Sequence, residues 1–302
     1  MHKTQIFDRH SKAILATTVL WGTFWIPLRE LDALGQGSIF FTGTGMALPM
    51  VLFLPWLIHR LPRITAIGLP IWLLGFSFAA AGSLYAEGAL RGNVARVILL
   101  FYLTPVWSTL LARWLLKEPI TSRRLLTLLL GLTGMYVILR VESWLPVPQS
   151  VAEWFGLIAG ICWGLAMVFT QRCKQVAVAD LTAVIMLCYS VVFLSIALLP
   201  GGRAWTFDSS LLSGSAVLWI LALAIIWNIP ATALTLYGAV VIEPGKVAIL
   251  LMLEVIIGVG TAAWLTDDPF GGREIAGGIL IIAAGLTEFF PSNTSVKKTH
   301  GK

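Results

Sequence analysis

The side chains in this sequence that could do chemistry lie inside long apolar stretches. Glu254 is flanked by Leu253 and Val255-Ile256-Ile257. An ionisable group at such depth is costly to place in hydrocarbon and marks a functional position by default. It could carry a proton, pair with a cationic or ammonium group, or hydrogen-bond as a neutral acid to another helix. Trp21 and Trp163 lie ~12 Å or more inside their apolar runs at ~1.5 Å per residue, and Trp25 shares the face of Trp21. Their rings could stack on a flat solute or serve helix packing. Tyr102, Trp107 and Trp227 are further candidates to line a path for such a solute. Tyr85 and Tyr237 could act as gates near opposite ends of their runs, or as interfacial anchors.

Enzyme chemistry would need a nucleophile with its base, a His-rich metal site or paired carboxylates. His2, His10 and His300 fall in the tails, His59 ends an apolar run, and Cys162, Cys173 and Cys188 show no metal-ligand spacing. No catalytic residue, metal or cofactor is expected.

The elements that hold these residues follow from composition. Hydrophobic residues make up 58% of the 302, charged ones 12%, and mean hydropathy is +0.87. That balance excludes an ordinary soluble surface. Apolar runs of about 20 residues, the length that crosses a hydrocarbon core, recur ten times between Ala13 and Phe290. They are continuous rather than alternating, so they predict helices and not barrel strands. Trp56, Trp72, Trp144, Trp154, Trp205, Trp219 and Trp264 fall near run ends, where an interfacial belt is expected.

The net charge of +6 reads as topology and not as nucleic-acid binding. Ten crossings put both termini on one side, and fifteen Lys and Arg then share that side against six opposite. The positive-inside rule makes the richer side cytoplasmic. The first run, which ends in Pro27-Leu28-Arg29-Glu30 with no small-x-small site, reads as a retained span and not as a signal peptide.

The fourth and ninth runs align at a constant shift: Leu103 with Leu253, Ala112 with Ala262, Trp114 with Trp264, Leu115 with Leu265 and Pro119 with Pro269. With small changes of register, Leu84-Tyr85 matches Leu236-Tyr237 and Trp21-Gly22 matches Trp163-Gly164. Each pair joins run n to run n+5. Five is odd, so the second half enters the membrane in the opposite sense. The predicted fold is all-α integral membrane: ten transmembrane helices as two inverted five-helix repeats around a central cavity. The repeats would span 13–140 and 151–290, with cytoplasmic tails at 1–12 and 291–302. Gly22, Pro27, Pro105, Gly164, Pro230 and Gly238 could be hinges for rocking the halves, although kinking and close packing also account for them.

These residues resemble the drug/metabolite transporter superfamily, specifically its EamA-type ten-helix exporters. Leu103-Thr104-Pro105-Val106 matches the family's Leu-Thr-Pro-Val stretch, and Leu253-Glu254-Val255 matches Leu-Glu-Pro-Val with valine for proline. Trp21-Gly22 looks like the family's tryptophan and small residue in the first span. Thr266-Asp267-Asp268-Pro269 departs from its usual Gly-Glu turn. The resemblance covers Ala13 to Phe290. It implies a multi-pass protein of the cell (inner) membrane, a monomer or weak homodimer, exporting a small-molecule substrate by alternating access, with protons as a candidate coupling ion. The central tryptophans point to amino acids, aromatic or hydrophobic ones above all, and so to the aromatic amino-acid exporter branch. Other amphipathic or cationic drugs and metabolites are the alternative cargo. An intramembrane enzyme or a receptor is the alternative outside transport.

Overall fold

A computed structural model describes residues 8–31, 33–34, 39–139, 147–198, 213–265 and 271–289. Asp32, Arg140, Trp144, Arg203, Trp205, the side chain of Glu288, the Asp267-Asp268-Pro269 turn and most of both tails lie outside the described residues. Every regular element among the described residues is helical.

Counting each broken rod once, the helices among the described residues form ten spans, five per half. In the first half they are α1 (Arg9–Gly22) with α2 (Trp25–Leu31), α3 (Ile39–Ala47) with α4 (Pro49–Ala66), α5 (Leu69–Arg91), α6 (Val94–Phe101) with α7 (Thr104–Leu111) and a π-helical turn to Leu116, then α8 (Ser122–Leu139). In the second half they are α9 (Val151–Arg172), α10 (Val178–Leu198), α11 (Gly214–Ala222) joined through a π-helical segment to α12 (Ile229–Ala239), α13 (Pro244–Leu251) with α14 (Leu253–Leu265), and α15 (Gly272–Phe289). Eight of these spans contain a helix long and apolar enough to cross a membrane by length and composition. The first, which is broken at Thr23-Phe24 and carries Arg29 and Glu30, is not among the eight. The last carries Arg273, Glu274 and Glu288.

Alternating spans define two faces. One, called here the amino-terminal face, bears the starts of α1, α8 and α13 and the end of α9. The opposite face bears the starts of α6 and α9 and the ends of α5, α8 and α14.

The breaks have local causes. Pro27 has no N–H for the Thr23 carbonyl, which instead accepts from the Ile26 N–H at 3.0 Å. Pro105 similarly stands in the first turn of α7, after the break at Tyr102-Leu103. The ninth span breaks at the equivalent place, Met252, although Val255 replaces the proline. The two helices before these breaks, Val94–Phe101 and Pro244–Leu251, coincide at the shift of the sequence repeat. At the second break the Met252 N–H turns back to the Ile249 carbonyl at 3.1 Å while its buried side chain packs beside Gly131. Tertiary packing therefore holds the break without proline.

The largest buried cluster joins both halves through Ile14, Phe78, Trp163, Leu181, Ile185, Leu236 and Leu250. Leu52, Leu129, Leu218 and Ile279 are each 60% exposed or more on the outer surface, an arrangement that suits lipid and not water. Trp264 is 83% exposed, and its repeat partner Trp114 79%.

Candidate functional site

A cavity of about 420 Å³ lies between the halves. Its wall includes Leu28 of α2, Val94 at the start of α6, Leu139 at the end of α8 and Ala262 near the end of α14. All four lie towards the opposite face, so the cavity runs from mid-depth to that face. Drug-sized sites of this volume with mostly apolar walls and few polar groups are typical of small-molecule binding.

The floor is aromatic. Trp21 meets Trp163 edge to face at 5.9 Å between centroids and 86°. Trp163 also packs on Phe78 at 4.8 Å and on Phe101 at 6.3 Å. Such tilted and edge contacts are the favoured arrangements for rings of this quadrupole. Indole N–H groups fix the orientation across the halves: Trp21 donates to Thr235 Oγ1 at 3.3 Å, and Trp25 to Thr261 Oγ1 at 3.1 Å. Thr235 is itself tied to Thr17 at 3.1 Å.

Polar groups converge on one wall. Glu254, in the first turn of α14, accepts a hydrogen bond from the Tyr102 hydroxyl. Tyr102 sits in the break of the fourth span and Glu254 just after the break of the ninth, so the two interruptions bring the pair together. Tyr85 lines the same cavity and packs on Phe101 at 4.8 Å. The Tyr189 hydroxyl, also at the wall, has no hydrogen-bond partner among the described residues. Glu254 is the one acidic or basic side chain among the described lining residues.

Of the candidates read from sequence, Trp21, Gly22, Trp25, Tyr85, Tyr102, Trp163 and Glu254 come together at this cavity. Trp227 is not in its described wall; its indole donates to Thr23 Oγ1 at 3.1 Å. Trp107 lies on α7, away from that wall. Tyr237 stacks on His10 at 4.6 Å, on the amino-terminal side. The glycines and prolines sit at breaks or close contacts. A Cβ on Gly22 would lie 2.6 Å from the Glu254 carbonyl oxygen, and one on Gly164 would lie 3.1 Å from the Ser108 nitrogen. Gly238 packs on Ile14, and Pro230 opens α12 after the π-helical segment.

Sequence reasoning missed Phe78, Phe101, Tyr189 and Asn228. Phe101 and its repeat partner Leu251 both line the cavity, a relation that the shift of the fourth and ninth spans carries. Asn228 is fully buried and donates to the Met46 carbonyl at 3.2 Å while accepting from Thr232 at 3.3 Å.

The amino-terminal face is closed. Gln171 donates to the carbonyls of Ala239 and Ile242 at 2.6 and 2.7 Å, binding the end of α9 to the end of the eighth span. Arg172 donates to the Leu115 carbonyl at 2.9 Å, and Arg124 pairs with Glu243 at 2.8 Å. Burial and the nearby Glu243 hold the Glu118 carboxyl above its usual range, against the opposing pull of Arg124. On the opposite face Arg96 grips Glu153 with two bonds of 2.8 and 3.0 Å.

Ten spans in two halves, with a closed face, an open one and a central cavity, define a membrane transport fold. Comparison with known proteins gives the family. The EamA-like transporter family model matches twice, over residues 12–140 and 150–287, and the chain belongs to that family. A solved crystal structure shares the fold at a TM-score of 0.70 and 17% identity, over 92% of this chain and 96% of the other. No curated protein matches the sequence.

Proposed function

We propose that this protein is a secondary transporter that exports small organic metabolites by alternating access across the cell (inner) membrane. Amino acids with aromatic or hydrophobic side chains are the favoured cargo. The observation that carries this reading is the cavity between the halves, with an aromatic floor at mid-depth and access to one face only. Two five-helix repeats of opposite sense can rock about such a floor and expose it to each side in turn. Trp21, Trp25 and Trp163 supply flat apolar surface for a ring, and Glu254 with Tyr102 supplies an anchor for an amino group.

A second cargo, an amphipathic amine without a carboxylate, is favoured by one feature: the described wall holds no Lys, Arg or His to meet a carboxylate. Both cargoes use Glu254, which is also the candidate site for proton coupling. Purified protein in liposomes loaded with a mixed panel separates them. Saturable flux of phenylalanine supports the first cargo, and flux of phenethylamine alone supports the second. Absence of flux across the whole panel refutes transport. Flux that ignores both a pH gradient and Glu254→Gln removes proton coupling.

A further inference from the structure

The shift that relates the fourth and ninth spans also relates the residues that line the cavity to a set that does not. On α14 the cavity touches Glu254, Val255, Gly258, Val259 and Ala262. Their partners in the first half are Thr104, Pro105, Ser108, Thr109 and Ala112. All five are buried. Thr104 alone also reaches the cavity, at its floor.

The packing explains the difference. On the amino-terminal side α7 lies against α13: Ile249 is fully buried against Val106, and a Cβ on Gly245 would stand 2.7 Å from Thr109 Oγ1. The symmetry-related pair, α14 and α6, makes no comparable contact among the described residues, and the cavity lies between them. One pair of half-helices is closed while its repeat equivalent is open. This is the asymmetry expected of an inverted repeat held in one of two states.

A second observation concerns polar atoms. Ser108 Oγ and Thr109 Oγ1 are buried and have no hydrogen-bond partner among the described residues. Leaving such groups unpaired is unfavourable, and in native proteins it calls for an explanation. A surface that is wet in another conformation provides one.

We infer that Ser108 and Thr109, continuing from Thr104, line a second binding surface for the solute, uncovered when α7 parts from α13 towards the amino-terminal face. The two sides of the path then differ in chemistry. Outward, α14 offers Val255, Gly258 and Val259, which suit an apolar body. Inward, α7 offers the Ser108 and Thr109 hydroxyls at the positions equivalent to Gly258 and Val259, which suit the polar end of an amphipathic solute, an amino group or its hydration water. Gly164 and Gly245 allow α7 to shut closely against α9 and α13 when the inward side is closed.

This inference rests on the transport reading, and the test keeps the two apart. In protein with Cys162, Cys173 and Cys188 replaced by alanine, Ser108→Cys and Val259→Cys are each reconstituted and exposed to a membrane-impermeant thiol reagent. Added solute under turnover is expected to speed labelling of the Ser108→Cys protein from the amino-terminal face by about tenfold, and to slow labelling of the Val259→Cys protein from the other. Ser108→Ala and Thr109→Ala add no bulk, and each is expected to slow turnover about two- to tenfold, the worth of one hydrogen bond, with solute affinity at the outward cavity unchanged. A Ser108→Cys protein that transports but never labels overturns the inference while leaving transport intact. Unchanged turnover in both alanine variants also overturns it. Absence of flux in the unmodified protein overturns the transport reading itself.

Discussion

Replacing Glu254 with Gln keeps the size and the acceptor oxygen that the Tyr102 hydroxyl uses, and removes only the ability to become a carboxylate opposite a bound amine. The variant should therefore fold, and its thermal midpoint in detergent should stay close to that of the parent. The loss should fall on binding. A hydrogen bond to a charged group contributes ~1.5–3 kcal/mol in a partly desolvated site, which is about tenfold to about a hundredfold in Kd. No other charged side chain is among the described lining residues to compensate. The assay is tryptophan fluorescence titration, which Trp21, Trp25 and Trp163 at the cavity should report. Phenethylamine, or the amino acid of the same ring, should weaken by that factor, while toluene, which has the ring without the nitrogen, should bind the parent and the variant equally. Equal weakening of the amine and the hydrocarbon would refute the reasoning, because it would mean that the substitution damaged the cavity and not an anchor. Unchanged amine affinity would refute it as well.

Other substitutions test the floor, the packing and the first helix. Trp163→Ala removes a side chain wedged among Trp21, Phe78 and Phe101 and should lower stability by ~3–5 kcal/mol, read as a fall in thermal midpoint, with Trp163→Phe recovering most of it. Gly22→Val should destabilise strongly, since even a Cβ there meets Ile257 Cβ at 2.8 Å, whereas Gly260→Ala has open space and should be neutral or up to ~1 kcal/mol stabilising by the same measurement. Asp8 caps α1 by accepting from the Ser11 N–H at 2.7 Å, and Asp8→Ala should cost ~1 kcal/mol. Burial pushes the Asp8 carboxyl up, but Ser11, His10 and Lys246 outweigh it and hold the group below its usual range. Its stabilisation is accordingly complete above the ordinary carboxylate range and is lost as pH falls through the lowered value. The difference in midpoint between parent and Asp8→Ala should shrink in acid, and a constant difference would contradict the assignment.

Depth and repeat were legible in the sequence because both are one-dimensional. The length of the apolar runs set the spans, and the match of Leu103 through Pro119 with Leu253 through Pro269 set the relation between halves. A small change of that register paired Trp21 with Trp163, and the register itself put Glu254 at a repeat-related position inside the membrane. Which way a side chain points around its helix was not legible. Lipid and helix interface are both apolar, so the period that marks a buried face in a soluble helix is weak here. Nothing in the sequence fixed which way Trp227 and Trp107 face, whereas Trp25 shares the face of Trp21, and of these three the structure places only Trp25 in the described wall. Tyr237 was readable as a repeat partner of Tyr85, yet the face that is closed determines that it meets His10 while Tyr85 meets the cavity. The break at Met252 was hidden for a different reason. Its local sequence lacks the proline that marks the fourth span, and contacts from other helices hold it.

The central claim is that α7 and α13 must part for solute to cross. A cysteine pair at Thr109 and Gly245, where a Cβ on Gly245 would stand 2.7 Å from Thr109 Oγ1 once the Arg124 guanidinium moves aside, tests it most directly in protein with the three native cysteines replaced. Solute flux from liposomes is measured before and after oxidation. The account predicts flux in the reduced pair, loss of flux on disulfide formation and its return with reductant. Equal flux with the disulfide formed would contradict it.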